Sequence, residues 1–445
     1  MITGKEMEKL KIISPDAQIY AQVKASWDKI AKPLDGLGQF ETMFAQIGAI
    51  TGSSSLSIEK KVILTMCADN GIVAEGVSQS GQEVTAVVAG FMGQQASSVG
   101  KMARRAGVDV IPVDIGINTK ETLPGVRDCK VMQGTRDFLQ EPAMTEEEAL
   151  QALSVGIDLV RECKDKGYQL IGTGEMGIGN TTTSSAVASV LLGDEPAEIT
   201  GRGAGLTNEG LERKIHAIEK AIAVNRPKWD DPVDVLAKVG GFDLAGITGL
   251  YLGGAVYRIP IVVDGFISAV AALAAVRICE WVKDAMIVSH VSKEPGMQKI
   301  LKELHMDAPL HADMCLGEGT GAVALFPMMD LSCAVYNSMS TFGDINVEEG
   351  KEVEIVKYVS MYTERECPAY ALHTTIEKEI EGFVETGFDQ ELKAHEDVYK
   401  NMWENADIQI TGDDELNRAV RFNIFHLMST GNEHDDHVNV GAKLL

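Results

Sequence analysis

A rhythm in the first 350 residues limits the folds open to this chain. Short runs rich in β-branched residues alternate with helical stretches, and several of the runs end in glycine-rich loops. "KKVILTMCADNG" (60–71) reads as a buried strand ending in a polar loop. "AGVDVIPVDIGI" (106–117), "YQLIGTGEMGIGNTTT" (168–183) and "AMIVSHV" (285–291) read as further strands. "YRIPIVVDGFISAVAALAAV" (257–276) reads as strand, Asp-Gly turn and a helix of small residues. Strands separated by helices at this spacing predict an α/β fold, a mostly parallel sheet covered by helices on both faces. Such sheets carry their sites in the loops after the strands.

The expectation is thus a Rossmann-like domain over residues 1–350. Residues 1–45 read as helical around "KPLDGLGQFE" and, with the late segment at 325–350, predict a small helical lobe. Near Gly350 the character changes. Residues 351–445 hold nine Lys and Arg against twenty Asp and Glu, aromatics become denser, and the strand–helix rhythm stops. "TTIEKEIEGFVETGFDQELKAHEDVYKNMWENADI" and "DDELNRAVRFNIFHLMST" read as amphipathic helices, the second capped by Asp414, with Leu416, Ala419, Val420, Ile424 and Leu427 on one stripe. An all-α extension over 351–445 is expected.

Composition narrows the function. A net charge of −25 disfavours a nucleic-acid surface, which needs clustered Lys and Arg. No uninterrupted apolar stretch approaches the roughly 18 residues of a membrane span. The start lacks the basic and apolar regions of a secretory signal, so a cytoplasmic protein is expected. The seven scattered cysteines form no CxxC and the nine histidines no HxH or HExxH, so no metal site is expected.

Two glycine loops carry a phosphate-type signal. "GTGEMGIGNTTTSSAV" (172–187) leads from a strand into a helix, whose positive end and free N–H groups favour an anion. It lacks the Lys-Ser/Thr of a Walker A loop and is not a GxGxxG fingerprint, so it suggests a monophosphate or nucleotide cradle without the Mg-linked chemistry of an NTPase. A tight turn with Thr caps is the plainer reading. "TGRGAGL" (200–206) adds Arg202, and Lys214 follows. "ADNGIVAEGVSQSGQEVT" (68–85) places polar residues after a strand, as a pocket wall or an ordinary surface loop.

"CLGEGTGAVALF" (315–326) sets one carboxylate, Glu318, between glycines and beside apolar residues. Glycines permit close approach of backbone or ligand. Apolar surroundings would raise the carboxyl's proton affinity and suit it to general-base work. A turn or N-cap acid accounts for the residue types equally well.

Taken in order, these stretches, with "GGFDLAGITGLYLGGA" and "SHVSKEPG", resemble the nicotinate-nucleotide–dimethylbenzimidazole phosphoribosyltransferases over nearly all of residues 20–347. The resemblance implies transfer of a phosphoribosyl group from nicotinate mononucleotide to 5,6-dimethylbenzimidazole. The products would be α-ribazole 5′-phosphate and nicotinate, with inversion at the anomeric carbon, in a homodimer that needs no metal or cofactor. It implies Glu318 as the base and Glu175 as a second acid. It implies a phosphate and ribose site at Gly177, Gly179, Asn180, Thr181, Arg202, Gly203 and Lys214, and an acceptor-base pocket at Ser78, Ser80 and Gln82. Glu175 would stabilise an oxocarbenium-like C1′ by charge. "WENADIQITGDDELNRAVRFNIFHLMST" resembles instead the linker and first barrel helix of family 65 disaccharide phosphorylases, and implies a truncated remnant without that activity. The competing readings are a catalytically dead nucleotide-binding module and a sugar phosphorylase.

Overall fold

The computed structural model describes residues 12–345, 357–362 and 367–430. The chain divides into two compact units, Met1–Glu349 and Gly350–Leu445.

The first unit is built on one six-stranded sheet: β1 (Lys61–Ala68), β2 (Asp109–Gly116), β3 (Arg127–Asp128), β4 (Leu170–Met176), β5 (Ile261–Val263) and β6 (Met286–Val288). The strands lie in the order β3-β2-β1-β4-β5-β6, and every neighbouring pair is parallel. Each stretch read as a strand holds one. The two-residue β3 is too short to leave a periodic signal. The chain runs outward from β1 to β3, then returns to the other side of β1 as β4. Loops leaving β1 and β4 therefore diverge, and the crevice between them is where such sheets bind ligands.

Strand β1 shows why both faces need cover. Its side chains alternate. Val62, Leu64 and Met66 enter a core that also holds Leu153, Phe242, Leu250 and Val270. Ile63 and Cys67 enter a second core with Trp27, Phe44 and Phe326. All of these side chains are buried, as a near-continuous apolar run in a parallel strand requires. The N-terminal helices Ala17–Lys29 and Gln39–Thr51 meet the late helix Thr320–Ser338 around Trp27, whose ring lies 6.2 Å from Phe44 and 5.0 Å from Tyr336. Their core is continuous with Ile63, Leu170, Val262 and Ile287, so this lobe also covers one face of the sheet.

The second unit contains the helices Leu372–Thr386, Phe388–Ala406 and Asp414–Thr430. Arg421 pairs with Asp407 at 2.9 Å and lies over the Trp403 ring. Asp414 is not the cap expected for the last helix. It is the first helical residue, and Asp413 accepts the Leu416 N–H at 2.9 Å, because a cap must stand one residue outside the turn whose amides it satisfies. Among the described residues no helix is long and apolar enough to cross a membrane, and no cluster of His, Cys, Asp and Glu could hold a metal ion.

Candidate active site

The loops leaving β1, β4, β5 and β6 meet at one end of the sheet. The loops after β4, β5 and β6, with those at Gly203 and Glu318, line a cleft of about 310 Å³ whose walls include Glu175, Asn180, Thr181, Gly203, His290 and Glu318. The loop bearing Glu318 is laid onto β4 by backbone contacts. The Glu318 N–H donates to the Glu175 carbonyl at 3.3 Å, and the Thr65 hydroxyl donates to the Glu318 carbonyl at 3.1 Å. Gly174 makes this approach possible: a Cβ there would stand 2.5 Å from the Glu318 carbonyl oxygen. Gly317 gives the Glu175 carboxylate the same room.

Glu318 has φ +61, a left-handed conformation uncommon for residues other than glycine. Its Oε2 accepts the Val99 N–H at 2.9 Å, at the start of the helix Ser98–Ala106, which fixes the carboxylate at the cleft edge. The dry, apolar setting expected from its neighbours is absent. Cys315 and Leu316 are exposed and Glu318 itself is half-buried, because the loop turns its apolar residues outward as it folds over β4.

The desolvated carboxyls lie beneath it. Glu175, half-buried at the end of β4, is pushed up to about 8, chiefly by desolvation and next by the nearby Asp243. Its Oε2 accepts from the Asn180 side chain. Asp243, fully buried at the start of the helix Phe242–Tyr257, is raised to about 6 by burial. Asp264, after β5, takes Gly321 N–H at 2.7 Å, Ala322 N–H at 3.1 Å and Gly319 N–H at 3.2 Å. It anchors the start of the helix Thr320–Ser338, and burial outweighs these donors to raise it to about 7.

A stability prediction follows from these groups. An acid whose folded pKa lies above its unfolded value holds extra protons when native, so its stabilising contribution is lost as pH rises through that window. For Glu175 and Asp264 the windows run from the ordinary carboxylate range to about 8 and about 7. His290 is lowered to about 4 by burial and works in the opposite sense only below its ordinary value of 6.5. From pH 6.5 to 8 the carboxyls therefore dominate this site. The melting temperature of the first unit is expected to fall across that interval, and Glu175→Gln to flatten the fall. A calorimetric pH series checks this.

Next to Glu175 the cleft wall has the character of an anion cradle. Gly177, Gly179 and Asn180 turn the chain from β4 into the helix Asn180–Leu192. Gly179 needs φ +91 to do so, and a Cβ there would meet Val73 at 2.7 Å. Thr181 and Gly203 line the cleft wall. Behind them the fully buried Lys214 donates to the Thr181 hydroxyl at 2.8 Å and the Gly201 carbonyl at 3.1 Å. Burial lowers it to about 8.

Not every expected residue arrives there. Arg202 is exposed and spends its guanidinium on its own loop, donating to the Leu206 carbonyl at 2.8 Å and to Asn208. Its local signal, a cation in a glycine loop, was overridden by these nearer acceptors. Ser78, Ser80 and Gln82 do not line this cleft. Ser78 accepts the Ser80 N–H at 3.2 Å within its own turn. Gln82 donates to the Asn70 carbonyl at 2.9 Å, accepts from Asn118 at 3.1 Å and borders a separate hollow. Conversely, Asp243, Asp264 and His290 lie in stretches singled out for their motifs, each at the end of a strand or the start of a helix, but nothing in the local pattern marked their roles.

A parallel doubly wound sheet with paired acidic side chains at its switch point and a glycine–threonine–lysine cradle beside them defines an α/β enzyme of the nucleotide-handling type. The model of a family described as "Phosphoribosyltransferase" matches residues 12–347. The nicotinate-nucleotide–dimethylbenzimidazole phosphoribosyltransferase of Ruminiclostridium cellulolyticum is 47% identical over 327 residues, 74% of this chain and 93% of that protein. Its counterpart from Geobacter metallireducens is 43% identical over 347 residues, 78% of this chain and 98% of that protein. A crystal structure of CobT from Thermus thermophilus superposes with a TM-score of 0.71 at 35% identity, covering 75% of this chain and all of that one. The chain belongs to this phosphoribosyltransferase family.

Proposed function

We propose that this protein transfers the phosphoribosyl group of nicotinate mononucleotide to 5,6-dimethylbenzimidazole, the lower-ligand step of cobalamin synthesis. One observation carries the reading beyond family membership: Glu318, Glu175, Thr181 and Gly203 line a single cleft, with Lys214 bonded to Thr181 behind it. In a nucleotide, phosphate and C1′ flank the ribose, and this one cleft holds both an anion cradle and two carboxyl groups.

In the proposed step one ring nitrogen of the acceptor attacks C1′ from the face opposite nicotinate. The C1′–nitrogen bond breaks and its electron pair neutralises the nicotinate ring nitrogen. The N–H proton on the acceptor's other nitrogen passes to Glu318. The leaving group starts as a cation and needs no acid. Glu175 carries its own proton near neutral pH, so in this reading it serves the sugar as a hydrogen-bond donor. Alignment of the two rings supplies the rest of the acceleration.

The same reading takes the working enzyme as a cytoplasmic homodimer. It takes residues 351–445 as a separate helical unit, resembling a family 65 phosphorylase remnant and inactive as one; the amphipathic "RFNIFHL" helix supports this. Purified full-length protein given nicotinate mononucleotide and dimethylbenzimidazole should release nicotinate and α-ribazole 5′-phosphate in equal amounts. Folded protein that forms neither product would overturn the assignment. Phosphate-dependent cleavage of a disaccharide would favour the phosphorylase reading instead.

A further inference from the structure

We propose that His290 is a specificity-determining residue of this cleft, its Nε2 accepting a hydrogen bond from a ribose hydroxyl of the nucleotide. The inference rests on the nucleotide reading above and adds a contact to it.

The hydrogen bonds around His290 set its tautomer. The Ser289 hydroxyl stands 2.7 Å from the Val263 carbonyl, 3.1 Å from the Asp264 carbonyl and 3.0 Å from His290 Nδ1. Carbonyls only accept, so the single hydroxyl proton goes to one of them. The Ser289 oxygen can then only accept from the ring, which places the imidazole proton on Nδ1. Burial keeps the ring neutral. Nε2 is left with a bare lone pair and no hydrogen-bond partner among the described residues. The ring is held between Gly265, whose added Cβ would stand 3.6 Å from Nε2, and Gly321, whose added Cβ would collide with it.

The placement points to the sugar. His290 lines the cleft together with Ser292 and Glu294. Glu294 is coupled by charge to Lys214 in the cradle. On the other side, Gly321 ties the ring to the helix start just beyond Glu318. A phosphate at the cradle and a C1′ beside Glu318 leave the ribose across His290. A fixed acceptor with no donor of its own recognises a hydroxyl, and it would be left unpaired by a deoxy sugar or a phosphate oxygen.

Two substitutions separate contact from scaffold. In His290→Asn the side-chain amide can still donate from the Nδ1 position to Ser289 but nothing reaches the Nε2 position. In His290→Gln the side-chain carbonyl reaches the Nε2 position. Both kcat/KM and calorimetric affinity are measured for nicotinate mononucleotide and its 2′-deoxy and 3′-deoxy analogues. The wild type is expected to prefer the ribonucleotide over one analogue by tenfold or more. His290→Asn should lose about tenfold on the ribonucleotide and almost nothing on that analogue, and His290→Gln should recover most of the preference. Equal losses on ribo and deoxy substrates, or an unchanged preference in His290→Asn, would overturn the proposal while leaving the transferase reading intact. A wild type that binds these nucleotides with that preference but forms no product would sink the transferase reading and leave the His290 contact standing.

Discussion

Glu318→Gln is expected to lower turnover by about 10²–10⁴-fold while leaving affinity for nicotinate mononucleotide nearly unchanged. The substitution preserves shape, and the new side-chain carbonyl can still accept the Val99 N–H that holds the carboxylate at the cleft edge. The left-handed backbone at φ +61 suits Gln no worse than Glu. What disappears is the ability to take a proton from the acceptor ring. Steady-state kinetics with both substrates, beside a melting curve, would check this. Near wild-type turnover would mean that another carboxyl of the cleft, such as Glu175, or water, takes the proton instead.

Asp264→Ala is expected to be the most damaging single change to the fold around the site. Three backbone N–H groups at the start of the helix Thr320–Ser338 converge on its carboxylate, all buried. Alanine leaves them without their carboxylate acceptor. Leaving three buried N–H groups without their acceptor costs about 3–5 kcal/mol. In a unit of this size that lowers the melting temperature by roughly 4–7 °C. Activity should fall with it, because the same turn carries Glu318 over β4. Asp264→Asn keeps one acceptor oxygen and should lose markedly less stability. Calorimetry of the full-length variants would test both, and a melting temperature within about 2 °C of wild type for Asp264→Ala would remove the anchoring role.

Much of this site was legible before the fold was known. The glycines on both sides of Glu318 pointed to close approach, and the contact with Gly174 supplies it. The loop after β4 marked Glu175, Asn180 and Thr181 together, since a strand, a glycine turn and a helix start in ten residues leave little freedom. Lys214 stood out less, as one cation on a helix, and only its burial against Thr181 distinguishes it from a solvated lysine. Arg202 carried the stronger local signal and was misleading, because Leu206 and Asn208 lie within reach of its own side chain. His290 and Asp264 gave almost no signal. A histidine after a strand and an aspartate before a glycine are ordinary until the helix start at Thr320 is brought against both.

Alternation of apolar runs and helices was enough to require a parallel sheet buried on both faces, because side chains on successive residues of a strand point to opposite sides. It also placed the site at the strand ends, where the chain must turn and glycine is needed. It could not say which carboxyl would hold a proton. That depends on how many polar partners and like charges surround each group, and for Glu175 these come from residues 180, 243, 264 and 318. Only folding brings four such separated stretches together. The carboxyl that looked most isolated in the chain, Glu318, lies at the half-open edge, and the proton is held one layer below it.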